Sequence, residues 1–202
     1  SVDTVEVYWP DGKRQQLINV PANQRLIVNQ KDAEYFPEEE SKERPPVFQE
    51  VSADSGIDFL HQENNYSDLT AQPLLPQTYS AMGPSLAAGD MDGNGLDDFY
   101  IGGSAGNPGS IYFQQPSSQF TRQEFLQDVE FEDMGALLFD ADNDGDLDLY
   151  VVSGGSEFPA GSPSYQDRLY KNDGQGNFQR DTTALSTIDA SGSCVTAADF
   201  DQ

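Results

Sequence analysis

Apolar and polar residues alternate from the start of the chain. Val5, Val7 and Trp9 interleave with Thr4, Glu6 and Tyr8, the period-2 pattern of a half-buried strand. Trp9-Pro10-Asp11-Gly12 then supplies a turn, with proline setting φ and glycine accepting a positive one. A second run, Gln15 to Asn29, carries Leu17, Val20, Leu26 and Val28 and is broken by Pro21-Ala22-Asn23. Together these runs predict a small β-meander over residues 1–31. Residues 32–46 are charged and proline-bearing and read as a linker, with Glu38-Glu39-Glu40 as its solvated part.

From residue 47 onward the pattern repeats. Residues 85–103 (SLAAGDMDGNGLDDFYIGG), 135–155 (GALLFDADNDGDLDLYVVSGG) and 194–202 (CVTAADFDQ) share a small or apolar lead-in followed by Asp-x-Asp. The first two continue into an apolar, β-rich run that ends in Gly-Gly. Downstream, Ile111-Tyr112-Phe113 with Phe120 parallels Leu169-Tyr170-Lys171 with Phe178. The leading aspartates are Asp90, Asp140 and Asp199. Each unit supplies about four short strands within ~40–50 residues, the arithmetic of a propeller blade. No segment sustains a 3.6-residue apolar period, so little helix is expected. The predicted architecture is all-β: a small N-terminal meander, then a partial β-propeller of about two and a half four-stranded blades over 47–202. A propeller closes with ~4–8 blades, so this chain is expected to be a piece of a longer one.

Charge sharpens the picture. The chain has 35 acidic and 10 basic side chains, a formal net charge of −25. Residues 51–202 hold 25 of the acids and only four basic residues, Arg122, Arg168, Lys171 and Arg180. Nine of those acids fall within 90–98 and 140–148, a local clustering unlike a generally solvated acidic face. Such a surface repels nucleic acid and anionic lipid. No apolar run reaches the ~18 residues of a membrane span, so no membrane insertion is expected. One cysteine, Cys194, and one histidine, His61, exclude an internal disulfide framework and a Cys/His zinc site.

The two acidic windows read as nine-position loops. The first runs from Asp90 through Asp92, Asn94, Gly95 and Leu96 to Asp98. The second runs from Asp140 through Asp142, Asp144, Gly145 and Asp146 to Asp148. Positions 1, 3 and 5 offer side-chain oxygens, position 6 is the turning glycine, position 7 (Leu96 or Asp146) offers its backbone carbonyl, and position 9 is again a carboxylate. Hard oxygens at this spacing suit Ca2+, which takes ~6–8 oxygen ligands, ahead of Mg2+, which keeps several waters. Three or four carboxylates on one loop repel by about 1 kcal/mol per ~4 Å pair even in bulk water, and more near a protein surface. Two calcium sites are therefore expected. Asp199 and Asp201 would open a third loop. An EF-hand is excluded, because position 12 is Ile101 or Val151 instead of Glu and the flanks are strand-like.

These loops, their Gly-Gly exits and the stretch Asn172-Asp173-Gly174-Gln175-Gly176-Asn177-Phe178 resemble FG-GAP/VCBS-type repeats. The resemblance implies calcium-binding propeller blades, as in integrin α-chain heads. Residues 5–28 resemble the end of an ASPIC/UnbV domain, through Trp9-Pro10-Asp11-Gly12 and the run after it. The pairing is similar to large bacterial surface proteins and to the cartilage acidic protein group. It implies a secreted or cell-surface location, and an adhesive or binding role toward a protein or glycan, without catalysis. Asn94, where an aspartate is usual, is the departure in the first loop.

His61 reads as a hydrogen-bonded packing residue. Glu130, Glu132 and Asp133 are the candidate acid–base set for the alternative, a propeller enzyme that cleaves polysaccharides with most of its active site elsewhere. Cys194 reads as a small buried hydrophobe in the lead-in strand of the third repeat. Asn65-Tyr66-Ser67 fits a glycosylation acceptor. Tyr66, Tyr79, Phe158 and Tyr165 are read as exposed aromatics of a contact surface. The ligand-binding loops are expected at 60–80, 104–109 and 155–167.

Overall fold

A computed structural model describes residues 1–35 and 47–198. The chain falls into two compact units, Ser1–Gln49 and Glu50–Gln202.

The first unit is built on a hairpin of β1 (Val2–Tyr8) and β2 (Arg14–Val20), paired from Val2↔Val20 to Tyr8↔Arg14. Gly12, at φ 82°, lets the turn close, and its N–H donates to the Trp9 carbonyl. The expected third strand is absent: residues 24–28 form none. Pro21 has no N–H for a ladder, and Asn23 at φ 60° turns the chain away. In its place Glu34 bridges back to Arg14 through two backbone hydrogen bonds of 2.9 and 3.1 Å. Asp32 to Tyr35, at the start of the expected linker, therefore extend this unit, and 36–46 lie outside the described residues.

The second unit contains two four-stranded antiparallel sheets. One has the order β3 (Leu86–Gly89), β4 (Asp98–Ile101), β5 (Ser110–Gln114), β6 (Phe120–Glu124). The other has the order β7 (Asp133–Phe139), β8 (Asp148–Ser153), β9 (Arg168–Lys171), β10 (Gln179–Arg180). All connections are between neighbours, as in a propeller blade. The registers match as well: Gly89↔Asp98 closes the hairpin of the first sheet and Phe139↔Asp148 that of the second. The only α-helix among the described residues is the single turn α1 (Asp68–Ala71). No helix among them is long and apolar enough to cross a membrane.

The sheets share one core, in which Tyr100, Ile111, Leu149, Val151 and Tyr170 are almost fully buried. Phe125, from the connection between the sheets, packs edge-on against Tyr170 (4.9 Å between centroids) and Tyr100 (5.9 Å). Two buried acids complete this interface. Asp133 accepts hydrogen bonds from Tyr100 Oη (2.6 Å) and the Gly103 N–H (2.7 Å), and it pairs with Arg168. Asp128 accepts from Tyr170 Oη (2.5 Å) and Arg180 (2.7 Å). The guanidinium groups of Arg168 and Arg180 lie over the Phe131 ring at 4.3 and 5.0 Å.

Two expectations fail at the far end of the unit. Residues 194–198 form no strand, and Cys194 is exposed. The chain entering this run makes one isolated bridge, Gly192 to Gly154, and among the described residues no ladder follows it. Asp199 and Asp201 lie outside the described residues. Tyr165 is buried, because its hydroxyl donates to the Phe158 carbonyl (2.6 Å) and its ring meets Phe158 edge-on.

Candidate functional site

Both acidic windows form the connection of a hairpin, 90–97 between β3 and β4 and 140–147 between β7 and β8. Each folds around its first aspartate. Asp90 Oδ1 accepts from the N–H groups of Gly93 (2.9 Å) and Asn94 (3.1 Å), and Oδ2 from that of Gly95 (2.8 Å). Asp140 does the same with Asp144 (3.2 Å) and Gly145 (3.1 Å). Gly95 and Gly145 sit at φ 84° and 97°, the backbone region that favours glycine.

The ninth aspartates anchor the loops. Asp98 and Asp148 are fully buried. Asp98 accepts from the N–H of Met91 (2.8 Å) and, through its other oxygen, from that of Gln114 on β5 (2.7 Å). Asp148 accepts in the same way from Ala141 and from Asn172, both at 2.9 Å. One carboxylate thus ties the start of each loop to the third strand of its own sheet. This double role leaves no trace in loop spacing.

Carboxylate oxygens of Asp90, Asp92 and Asp98 lie within 4.8 Å of one another, and so do those of Asp140, Asp142 and Asp148. Positions 1, 3 and 9 thus converge in both loops. Position 5 does less: Asn94 Oδ1 accepts from the Leu96 N–H (2.8 Å), and Asp144 Oδ1 from that of Asp146 (3.2 Å). The Asp146 side chain turns toward the next β-turn, and its Oδ1 is buried without a hydrogen-bond partner. Leu96 is half-buried.

The electrostatics follow from this crowding. Burial pushes the Asp98 carboxyl up, the Met91 and Gln114 N–H groups oppose the rise, and the charges of Asp92 and Asp90 add to it. Burial, then the neighbouring Asp144 and the more distant Asp148 and Asp142, push Asp146 up to about 6. Among the described residues no basic side chain pairs with the first triad, whereas Lys171 Nζ lies 3.2 Å from Asp142 in the second. An all-oxygen, anionic and largely uncompensated donor set fits a hard divalent cation. Asp90, Asp92 and Asp98 would hold one ion, and Asp140, Asp142 and Asp148 the other.

Two residues of the acid–base set considered for glycan cleavage are tied into the surrounding structure. Asp133 is the buried partner of Arg168. Glu132 is buried and accepts from the Ala105 N–H (2.8 Å), and Glu130 is exposed. His61 donates to or accepts from Glu63 at 2.8 Å. Asn172 belongs to the repeat motif 172–178 in the sequence. It emerges as a contact residue of both loops, because its amide donates to the Met91 carbonyl (2.7 Å) and to that of Leu147 (3.1 Å).

Two copies of one four-stranded sheet, each opening on a hairpin closed by an acidic loop, define a repeat module of the β-propeller type. Residues 1–35 match the family described as ASPIC and UnbV. Residues 90–151 and 140–202 match the FG-GAP-like repeat, each match opening on the first aspartate of a loop. Those matches cover more than half of the chain, which belongs to the FG-GAP-like repeat family. No curated protein and no solved structure matches it significantly.

Proposed function

We propose that this chain is a calcium-binding propeller module of the cell exterior, one that binds a protein or glycan and performs no catalysis. The observation that carries the reading is the recurrence of the carboxylate triad, Asp90/Asp92/Asp98 and Asp140/Asp142/Asp148, at equivalent hairpins of the two sheets. Chance clustering of acids has no reason to respect the register of a repeat. Calcium would cancel the repulsion within each loop and hold the first hairpin of each blade. At ~1 mM calcium a site of ~10–100 µM affinity adds on the order of 1–3 kcal/mol of stability per loop. The surface left for a partner would be the strand connections 104–109 and 155–167 and the segment 60–80 that precedes β3.

Calorimetric titration of the metal-free chain with calcium tests the reading. Two sites are expected, with a rise in melting temperature and weaker binding of magnesium. A folded chain that takes up no calcium would overturn it.

A further inference from the structure

The two acidic loops touch the same β-turn. That turn, 172–178, joins β9 to β10 in the second sheet, yet it lies on the loop of the first. Asn172 is its pivot and is buried (7% exposed). Its backbone N–H donates to Asp148 of the second loop, and its side-chain amide to Leu147 of that loop and Met91 of the first. Gly174 follows the same course. A methyl group on Gly93 of the first loop would lie 3.3 Å from the Gly174 carbonyl oxygen, and one on Gly174 itself would lie 3.0 Å from Asp146 Oδ2 of the second. A methyl group on Gly176 would lie 2.7 Å from the Phe113 ring and 3.5 Å from Asp92 Cβ.

The equivalent residue of the first sheet makes only half of these contacts. Gln114 donates its N–H to Asp98 as Asn172 does to Asp148, and its carbonyl accepts from the Asn94 amide of that same loop (2.9 Å), so both of these bonds stay within one repeat. The cover is therefore one-sided. Asp90 and Asp92, beneath the turn, are half-buried, whereas Asp140 and Asp142 are exposed.

We infer that the 172–176 turn couples the two loops, so that a cation in one raises the affinity of the other, with Asn172 as the connecting residue. The inference rests on the calcium reading above. A cation held by Asp140, Asp142 and Asp148 fixes Asp148 and Leu147, and these are the acceptors that hold Asn172. A fixed Asn172 holds the Met91 carbonyl and the turn over the first loop. The first loop then has less freedom to lose when its own cation arrives, which is positive coupling by shared ordering. The effect is reciprocal, because linkage requires it.

The test is a double-mutant cycle on the full chain, read by calcium calorimetry and, independently, by melting temperature. Asp142→Ala disables the second loop and leaves the buried Asp148 in place. In a background with native Asn172, this change is expected to weaken calcium binding at the first loop by about fivefold or more, the lower end of ordinary coupling. In an Asn172→Asp background, which keeps the backbone N–H and the shape but removes the amide donors, the same change is expected to alter the first loop less than about twofold. Asn172→Ser provides a second, smaller replacement should the aspartate perturb folding. Equal weakening in the native and Asn172-substituted backgrounds, or none in either, overturns the coupling while calcium binding stands. A folded native chain without calcium binding overturns the calcium reading and the coupling with it.

Discussion

At the scale of the residue, the ninth aspartates and their neighbours in the same loop are separable by experiment. Asp148 is fully buried and satisfies the N–H groups of Ala141 and Asn172. Asp148→Ala leaves both donors without an acceptor, at about 1–3 kcal/mol for each buried group. A large loss of stability is expected even in chelator, measured by urea unfolding. Asp142 is exposed, and its pair with Lys171 is a surface ion pair worth about 0–1 kcal/mol. Asp142→Ala should therefore leave stability in chelator nearly unchanged and abolish most of the calcium-induced rise in melting temperature at its own loop. Equal losses in chelator would refute the division of labour.

Glu132 supplies the clearest pH effect. Burial first, then the charges of Glu157, Glu63 and Asp133, push it up to about 7 from an ordinary 4.5, against the pull of the Ala105 N–H. The folded state thus holds a proton that the unfolded chain has already released. Between pH 4.5 and 7 the folded chain binds more protons, so the Glu132 contribution to stability falls as pH rises and is lowest above 7. Glu132→Gln is expected to raise the melting temperature at pH 8 by several degrees and to change it little at pH 4, as scanning calorimetry across that range would show.

At the scale of the element, the sheets are joined by charge as well as by aromatic packing. Arg168 of β9 and Asp133 of β7 form a buried pair that also holds Tyr100 of β4. Removing one partner of such a pair costs about 3–5 kcal/mol, because a charge stays buried alone. Arg168→Leu should show a loss of that size in urea, and the double variant Arg168→Leu with Asp133→Leu should recover part of it. Additive losses in the double variant would mean that the pair is not coupled.

Local features of these elements were readable in the sequence, and long-range ones were not. The acidic loops are contiguous, so nine residues suffice to recognise them, and the strands on either side declare themselves by composition. The partner of Met91 is 81 residues away, and that of Asp133 is 35. No periodicity encodes such pairs. From sequence alone Asp133 therefore reads as a member of an acid–base set, and Asn172 as one residue of a repeat motif. The missing third strand of the first unit has a local cause, Pro21 and the left-handed Asn23, which the apolar spacing of Leu26 and Val28 concealed. Tyr165 is buried and Cys194 exposed, each against the sequence expectation. Exposure in loop-rich segments depends on what packs there, and composition is silent about it.

At the scale of the whole molecule, the net charge of −25 opposes compaction in the absence of cations. Raising KCl from about 20 to 300 mM shortens the screening length from roughly 20 to 6 Å and should raise the melting temperature of the metal-free protein. Saturating calcium should shrink that salt response, because the densest charges would already be neutralised. An undiminished response would place the repulsion elsewhere on the surface.

The turn at 172–178 also gives the repeat a direction of growth. The turn of the second repeat holds the acidic loop of its own repeat through Asp148 and Leu147, and that of the repeat before it through Met91. Inserting a further repeat between the two would keep every loop ahead of it clasped, provided the newcomer brought an asparagine at the place of Asn172 and small residues at those of Gly174 and Gly176. A lesion in the clasp would then be felt upstream, in a loop whose own sequence is intact.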